Sequence, residues 1–168
     1  MRVRALIVAA FALTACQRAE TPEQTAARIQ TESDSARVAF EAILTTFSQH
    51  FNAGQIDSVV AIYGDQAHVM PPNARPVHGR DAIRQMFRAY FQNGPVGQLR
   101  LHLENVTANG PVAVVRAGWT FAPLAGAPLP ADTGVSIGHW QKVDGRWQLM
   151  EDIWRSDLPA PPPPPRRH

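Results

Sequence analysis

Two residues near the end of the chain could do acid–base chemistry together, His139 and Asp152. A carboxylate that holds an imidazole can tune it toward neutral pH and aim it as a proton donor or acceptor. Between them lies Asp144-Gly145, flanked by strand-like runs. Asp-Gly in that setting predicts a type I′ hairpin, because both central residues need positive φ. A two-residue loop sets the register. It pairs Val143 with Arg146, Gln141 with Gln148, His139 with Met150, Ile137 with Asp152 and Val135 with Trp154. Side chains alternate along a strand, so His139, Met150, Asp152 and Trp154 are expected on one face, and Trp140, Trp147, Leu149 and Ile153 on the other. The same His–Asp pair also fits a purely structural hydrogen bond, and that alternative stays open.

Other residues would complete a ligand site around this pair. His68 and Met70 share a short predicted strand, and Tyr63 precedes it with a hydroxyl that could meet a ligand oxygen or cap a helix. Trp119, Phe121, Met150 and Trp154 could line an apolar cavity or simply fill a core. Gly134-Val135-Ser136-Ile137-Gly138 matches G-x-S-x-G, but a nucleophile elbow needs a strand, a sharp turn and then a helix. Here the match sits inside a strand pattern, so its glycines are expected to bend that strand. His50, His78 and His102 show no ligand spacing, and no phosphate loop, dinucleotide fingerprint or zinc motif is present. No metal or cofactor is predicted.

The elements that must hold these residues follow from periodicity. Ser33 or Asp34 is a good N-cap, and Ala36, Phe40, Ile43, Leu44, Phe47 and Phe51 then recur at helical spacing. Asn52-Ala53-Gly54 stops that helix. A short helix is expected over about Ile56 to Tyr63, a strand at Ala67–Met70, a brief return strand at Pro76–Gly79 and a third helix from Asp81 to Phe91. The period then changes to two. Leu99, Leu101 and Leu103 alternate with polar residues, Asn109-Gly110 turns the chain, and Ala113, Val115, Ala117, Trp119 and Phe121 share one face of a long strand. Helices followed by a run of strands give an α+β class, with the helices packed on one face of an antiparallel sheet.

The front of the chain carries a different message. Arg2 and Arg4 precede a short apolar run, Ala5 to Ala12, and then Leu13-Thr14-Ala15-Cys16. The run is too short to span a bilayer. It resembles a bacterial lipoprotein signal, which implies cleavage of residues 1–15, lipidation of Cys16 and anchoring by several acyl chains. Gln17, by resemblance to Gram-negative lipoproteins, implies the outer membrane facing the periplasm. Cys16 is the only cysteine, so a lipidated chain has no disulfide and no thiolate site. Removing Arg2 and Arg4 leaves basic residues equal in number to the 14 acidic ones, which argues against a nucleic-acid partner. Residues 16–32 read as a polar tether, residues 33–158 as one domain, and residues 159–168 as a Pro-rich tail expected to be polyproline-like or disordered.

Several short stretches carry a family resemblance. Phe51-Asn52-Ala53-Gly54-Gln55, Tyr63-Gly64-Asp65-Gln66-Ala67, Val69-Met70-Pro71-Pro72-Asn73, Gly79-Arg80-Asp81-Ala82-Ile83 and Asp144-Gly145-Arg146-Trp147, with Asp152-Ile153-Trp154-Arg155-Ser156-Asp157 behind it, resemble the SnoaL-like, ketosteroid-isomerase-related group of the nuclear transport factor 2-like superfamily. The resemblance implies a cone-shaped, cystatin-like α+β barrel: a curved antiparallel sheet with three N-terminal helices. One reading puts a small apolar molecule as ligand in such a cone, with His139, Asp152 and His68 as polar contacts, because one sheet face mixes His, Met, Asp and Trp. The competing reading is a non-catalytic assembly module, since members of this fold dimerise through the outer sheet face; a homodimer here would use all or part of Trp140, Trp147, Leu149 and Ile153. Isomerase-type members carry a carboxylate base at the position that falls on Pro71 here. Proline cannot abstract a proton, so steroid-isomerase chemistry is not expected. The fold hosts isomerases, cyclases, dehydratases and assembly modules, so the resemblance alone leaves the role open.

Overall fold

The computed structural model describes residues 19–127 and 129–160. The proposed cleavage site, Cys16 and most of the Pro-rich tail lie outside the described residues. The elements run α1 (Pro22–Asn52), α2 (Ile56–Val60), β1 (Tyr63–Met70), β2 (Val77–His78), α3 (Arg80–Tyr90), β3 (Gly97–Asn109), β4 (Val112–Pro123), β5 (Asp132–Val143) and β6 (Arg146–Ser156). Six strands form one sheet in the order β2-β1-β6-β5-β4-β3. β2 and β3 remain edges, so the sheet curves without closing into a barrel. β1 runs parallel to β6, and the other neighbours are antiparallel.

The first helix starts well before Ser33. Thr21 is its N-cap, Pro22 occupies the first turn, and the Thr21 and Gln24 side chains bond each other's backbone N–H groups in a reciprocal capping box. The expected tether over residues 16–32 is therefore mostly helix. Ser33, expected as a cap, is an interior helical residue. Its hydroxyl donates to Ile29 O at 2.6 Å and accepts from the N–H of Ala108 in β3 at 2.9 Å. Nearby, Glu32 accepts from Gly110 N at 2.6 Å and Arg28 donates to Asn109 Oδ1 at 2.8 Å. The early turns of α1 are thus fixed to the β3–β4 turn.

At its far end, Asn52 makes two bonds to the Leu99 backbone, which fix α1 to the start of β3. The helix lies along the inner sheet face. Phe40 packs against Trp140 and Trp147 with ring centroids 5.2 and 5.1 Å apart. Together with Ala36, Val106, Ala108, Ala113 and Val115 they form a solid core that fills the end of the cone nearest the β3–β4 turn. The other end is built on Phe51, Phe87, Phe91 and Phe121, which meet mainly edge to face.

The Asp144-Gly145 turn forms as expected, with φ of 49° and 77°. Val143 pairs with Arg146 and Gln141 with Gln148. Trp140 still faces Leu149 in the same register, but beyond that pair a bulge at Met150 shifts it, so that His139 faces Glu151. A bulge sets two residues against one and inverts every side chain beyond it. Asp152 consequently pairs with Gly138 and Trp154 with Ser136.

Candidate functional site

The inverted phase of β6 builds the site. Leu149, Asp152 and Trp154 point inward from β6, and Ser136, Gly138 and Trp140 from β5. They enclose a cavity of about 340 Å³ with Val115, Ala117, Trp119 and Phe121 of β4, Leu99 and Leu101 of β3, and the Ile43, Phe47 and Phe51 side of α1. Tyr90 and Phe87 of α3 and Tyr63 of β1 complete the wall. The size falls within the range of small-molecule sites, which are mostly apolar with few polar groups. Pro71, Pro72, Ala74, Leu129 and Pro130 come from the β1–β2 and β4–β5 loops. They form the rim, at the end of the cone opposite the β3–β4 turn.

The polar feature inside is a tyrosine–carboxylate pair. The Tyr63 hydroxyl donates to Asp152 Oδ2 at 2.9 Å. Tyr63 is only 1% exposed. Asp152 is half-buried, with its side chain at the cavity wall. Burial pushes the Asp152 pKa up to about 6, and the Tyr63 bond opposes that rise by stabilising the charged form. Burial and the neighbouring Asp152 charge push the Tyr63 hydroxyl well above its ordinary value, so it stays a donor. Near neutrality Asp152 can therefore offer a proton to a ligand oxygen or take one up. Trp119 Nε1 is buried without a hydrogen-bond partner among the described residues, and Ser136 Oγ donates to Ala117 O at 3.3 Å.

Of the expected site residues, Tyr63, Trp119, Phe121, Asp152 and Trp154 meet at the cavity. His139, His68, Met70 and Met150 do not line it. The expected His139–Asp152 pair is not formed, because the Met150 bulge puts the two on opposite faces. His139 stands on the outer face across from Glu151, whose carboxylate is 3.1 Å from His68 Nδ1. The His78 ring lies against the His68 ring, tilted by 36° with centroids 4.2 Å apart. Met150 is the bulged residue itself, and its sulfur lies close to Gly64. The apolar outer face expected from Trp140, Trp147, Leu149 and Ile153 is also rearranged. Trp140 and Leu149 point inward, while Ile153 shares the exposed face with Ile137 and Val114, each 47% exposed.

Sequence reasoning missed Ser136, Trp140, Tyr90 and Phe87 as cavity residues. A signal for the first was present: Ser136 lies midway between Gly134 and Gly138, where a side chain would crowd the inner face. A Cβ on Gly138 would come within 2.7 Å of Trp140 Nε1 and 2.8 Å of Leu149 Cδ1. The G-x-S-x-G match lies wholly within β5, so it forms no elbow. Pro71 does reach the cavity rim, and it brings no ionisable group. No group of three or more His, Cys, Asp or Glu among the described residues is placed to hold a metal ion.

Comparison with known proteins agrees with this architecture. The family model for the SnoaL-like domain matches residues 44–150, more than half of the chain. The chain belongs to the SnoaL-like family. Among solved structures, this SnoaL-like chain is similar to a nuclear transport factor 2-like protein of unknown function from Shewanella oneidensis, with 20% identity, 67% of this chain and 93% of that chain covered, and a TM-score of 0.60. It is similar to a ketosteroid isomerase-like protein from Erwinia carotovora atroseptica, with 20% identity, coverage of 71% and 94%, and a TM-score of 0.59. A Nostoc punctiforme protein of unknown function with a cystatin-like fold has 17% identity, coverage of 76% and 94%, and a TM-score of 0.59. At such identities the likeness establishes the fold alone. A search of curated proteins finds no match.

Proposed function

We propose that this SnoaL-like protein is a lipid-anchored envelope protein that binds a small, largely apolar molecule in its cone, with Asp152 and Tyr63 engaging an oxygen of that molecule. The observation that carries the reading is a cavity of about 340 Å³, walled mainly by aromatic and aliphatic side chains, with one raised-pKa carboxyl group inside it. A neutral Asp152 can donate to a carbonyl or hydroxyl oxygen. The lipobox-like Leu13-Thr14-Ala15-Cys16 and the following Gln17 support anchoring at Cys16 in the outer membrane, facing the periplasm. The acid–base pair expected of His139 and Asp152 is replaced in this reading by Tyr63 and Asp152.

The test uses the mature chain with Cys16→Ser, purified from its host and weighed by native mass spectrometry, then titrated with the neutral dye Nile red. A retained small mass, or a blue shift of the dye that Ala117→Leu abolishes by filling the cavity, is the expected result. No retained mass and no blue shift at tens of micromolar overturns the reading.

A second reading, pairing of two copies through the outer sheet face, is favoured by Val114, Ile137 and Ile153 lying exposed on adjoining strands. Light scattering at tens of micromolar should give twice the monomer mass, and Ile137→Asp should halve it. A monomer at that concentration removes the idea.

A further inference from the structure

The position of the helix start decides which way the cavity can face. α1 begins at Pro22 with its first turn capped by Thr21, so only residues 17–20 separate Cys16 from the cap. Fully extended, that link spans about 17 Å at about 3.5 Å per residue. The helix has 31 residues, which at about 1.5 Å each makes it about 46 Å long. Its N-terminal part is fixed beside the β3–β4 turn through Arg28, Glu32 and Ser33. Its last turns, at Phe47 and Phe51, line the cavity, and the rim residues Pro71, Pro72, Ala74, Leu129 and Pro130 lie at that same far end. Between the two ends stands the packed plug of Phe40, Trp140 and Trp147.

We infer that the anchor and the cavity mouth occupy opposite ends of the molecule, and that the mature protein turns its mouth away from the membrane that holds it. The inference rests on the proposed lipidation of Cys16. To bring the mouth onto the bilayer, the link would have to run back along the whole helix. It is shorter than the helix by a factor of nearly three. A flexible tether extending to residue 32 would have removed this constraint, but residues 22–32 are spent in the helix instead. The ligand, or a soluble protein that delivers it, then reaches the rim from the aqueous side. An apolar molecule dissolved in the anchoring bilayer would have to leave it first. The region that imposes this geometry, residues 19–43, lies outside the stretch matched by the family model.

The experiment reads the two ends directly. The thiol of a lipidated Cys16 is consumed, so one introduced cysteine is the single free thiol. Arg75→Cys marks the mouth and Pro111→Cys marks the β3–β4 turn, both at exposed positions. Each full-length lipidated variant is labelled with a donor dye. It is reconstituted on phosphatidylethanolamine–phosphatidylglycerol vesicles carrying a headgroup-linked acceptor. Energy transfer at least twofold greater from position 111 than from position 75 is expected. A flexible insert of sixteen glycine and serine residues after Ala19 should bring the two values together. Equal or reversed transfer in the protein without the insert overturns the inference while leaving the anchor in place. If Cys16→Ser leaves the protein in the same cell fraction, the anchoring reading fails, and the inference fails with it.

Discussion

The Tyr63 hydroxyl on β1 meets the Asp152 carboxylate on β6 at 2.9 Å, joining two strands that run parallel inside an otherwise antiparallel sheet. It is the only side-chain hydrogen bond made by Asp152 among the described residues, and it holds that group at the cavity wall. Its consequences for pH can be worked out.

An unfolded Asp152 titrates near 3.8, and the folded one near 6. Between those values the folded protein holds a proton that the unfolded chain has released, so this group's contribution is full below pH 3.8 and is lost as the pH rises through 6. Asp152→Asn keeps an acceptor for Tyr63 and cannot ionise. It is expected to be more stable than the parent at pH 7.5 by about 1–3 kcal/mol, at about 1.4 kcal/mol per pH unit of displacement. At pH 3.5 the advantage should vanish. Thermal denaturation across this range checks both arms.

Tyr63→Phe removes the one bond that lowers the Asp152 pKa. Its midpoint should move above 6, not below. The pH dependence of stability reports that midpoint. A downward shift would show that the hydroxyl does not stabilise the charged form.

Gly138→Ala should destabilise the protein by about 1–3 kcal/mol, the usual cost of overfilling a packed site. The added methyl would press on the Trp140 indole and Leu149. Urea unfolding measures the loss, and Trp140→Phe in the same chain should recover part of it.

Ser33→Ala leaves the buried Ala108 N–H without its acceptor, at a cost of about 1–3 kcal/mol. The same change at exposed Ser35 should be close to neutral. Amide exchange at Ala108 would separate this loss from a general loosening of α1.

Much of the architecture was legible because its signals are local. The Asp144-Gly145 turn, the alternating leucines of β3 and the helical run from Ala36 to Phe51 each specify one structure. The site was half legible. Beyond Gln148 the sequence is apolar on both faces, with Leu149 beside Met150 and Ile153 beside Trp154, so hydrophobic pattern could not set the phase. The bulge at Met150 is marked by no glycine or proline in β6. It moved Asp152 to Tyr63 and left His139 with Glu151 on the outer face. The early start of α1 is a different kind of miss. Thr21-Pro22-Glu23-Gln24 carries the chemistry of a capped helix in plain view, but the weakly apolar turns that follow hid it.

The parallel pairing of β1 with β6 also has a kinetic consequence. Tyr63 and Asp152 lie 89 residues apart in sequence, and β6 is the last strand among the described residues. β1 therefore has no strand partner other than two-residue β2 until β6 is available. Contacts this distant form slowly, because the intervening loop must close before it is stabilised. A chain emerging N-terminus first would complete α1 and α3 early and expose their apolar faces while waiting for its final eleven-residue strand. Truncation within β6 should then trap an unfinished, aggregation-prone molecule rather than yield a smaller folded one.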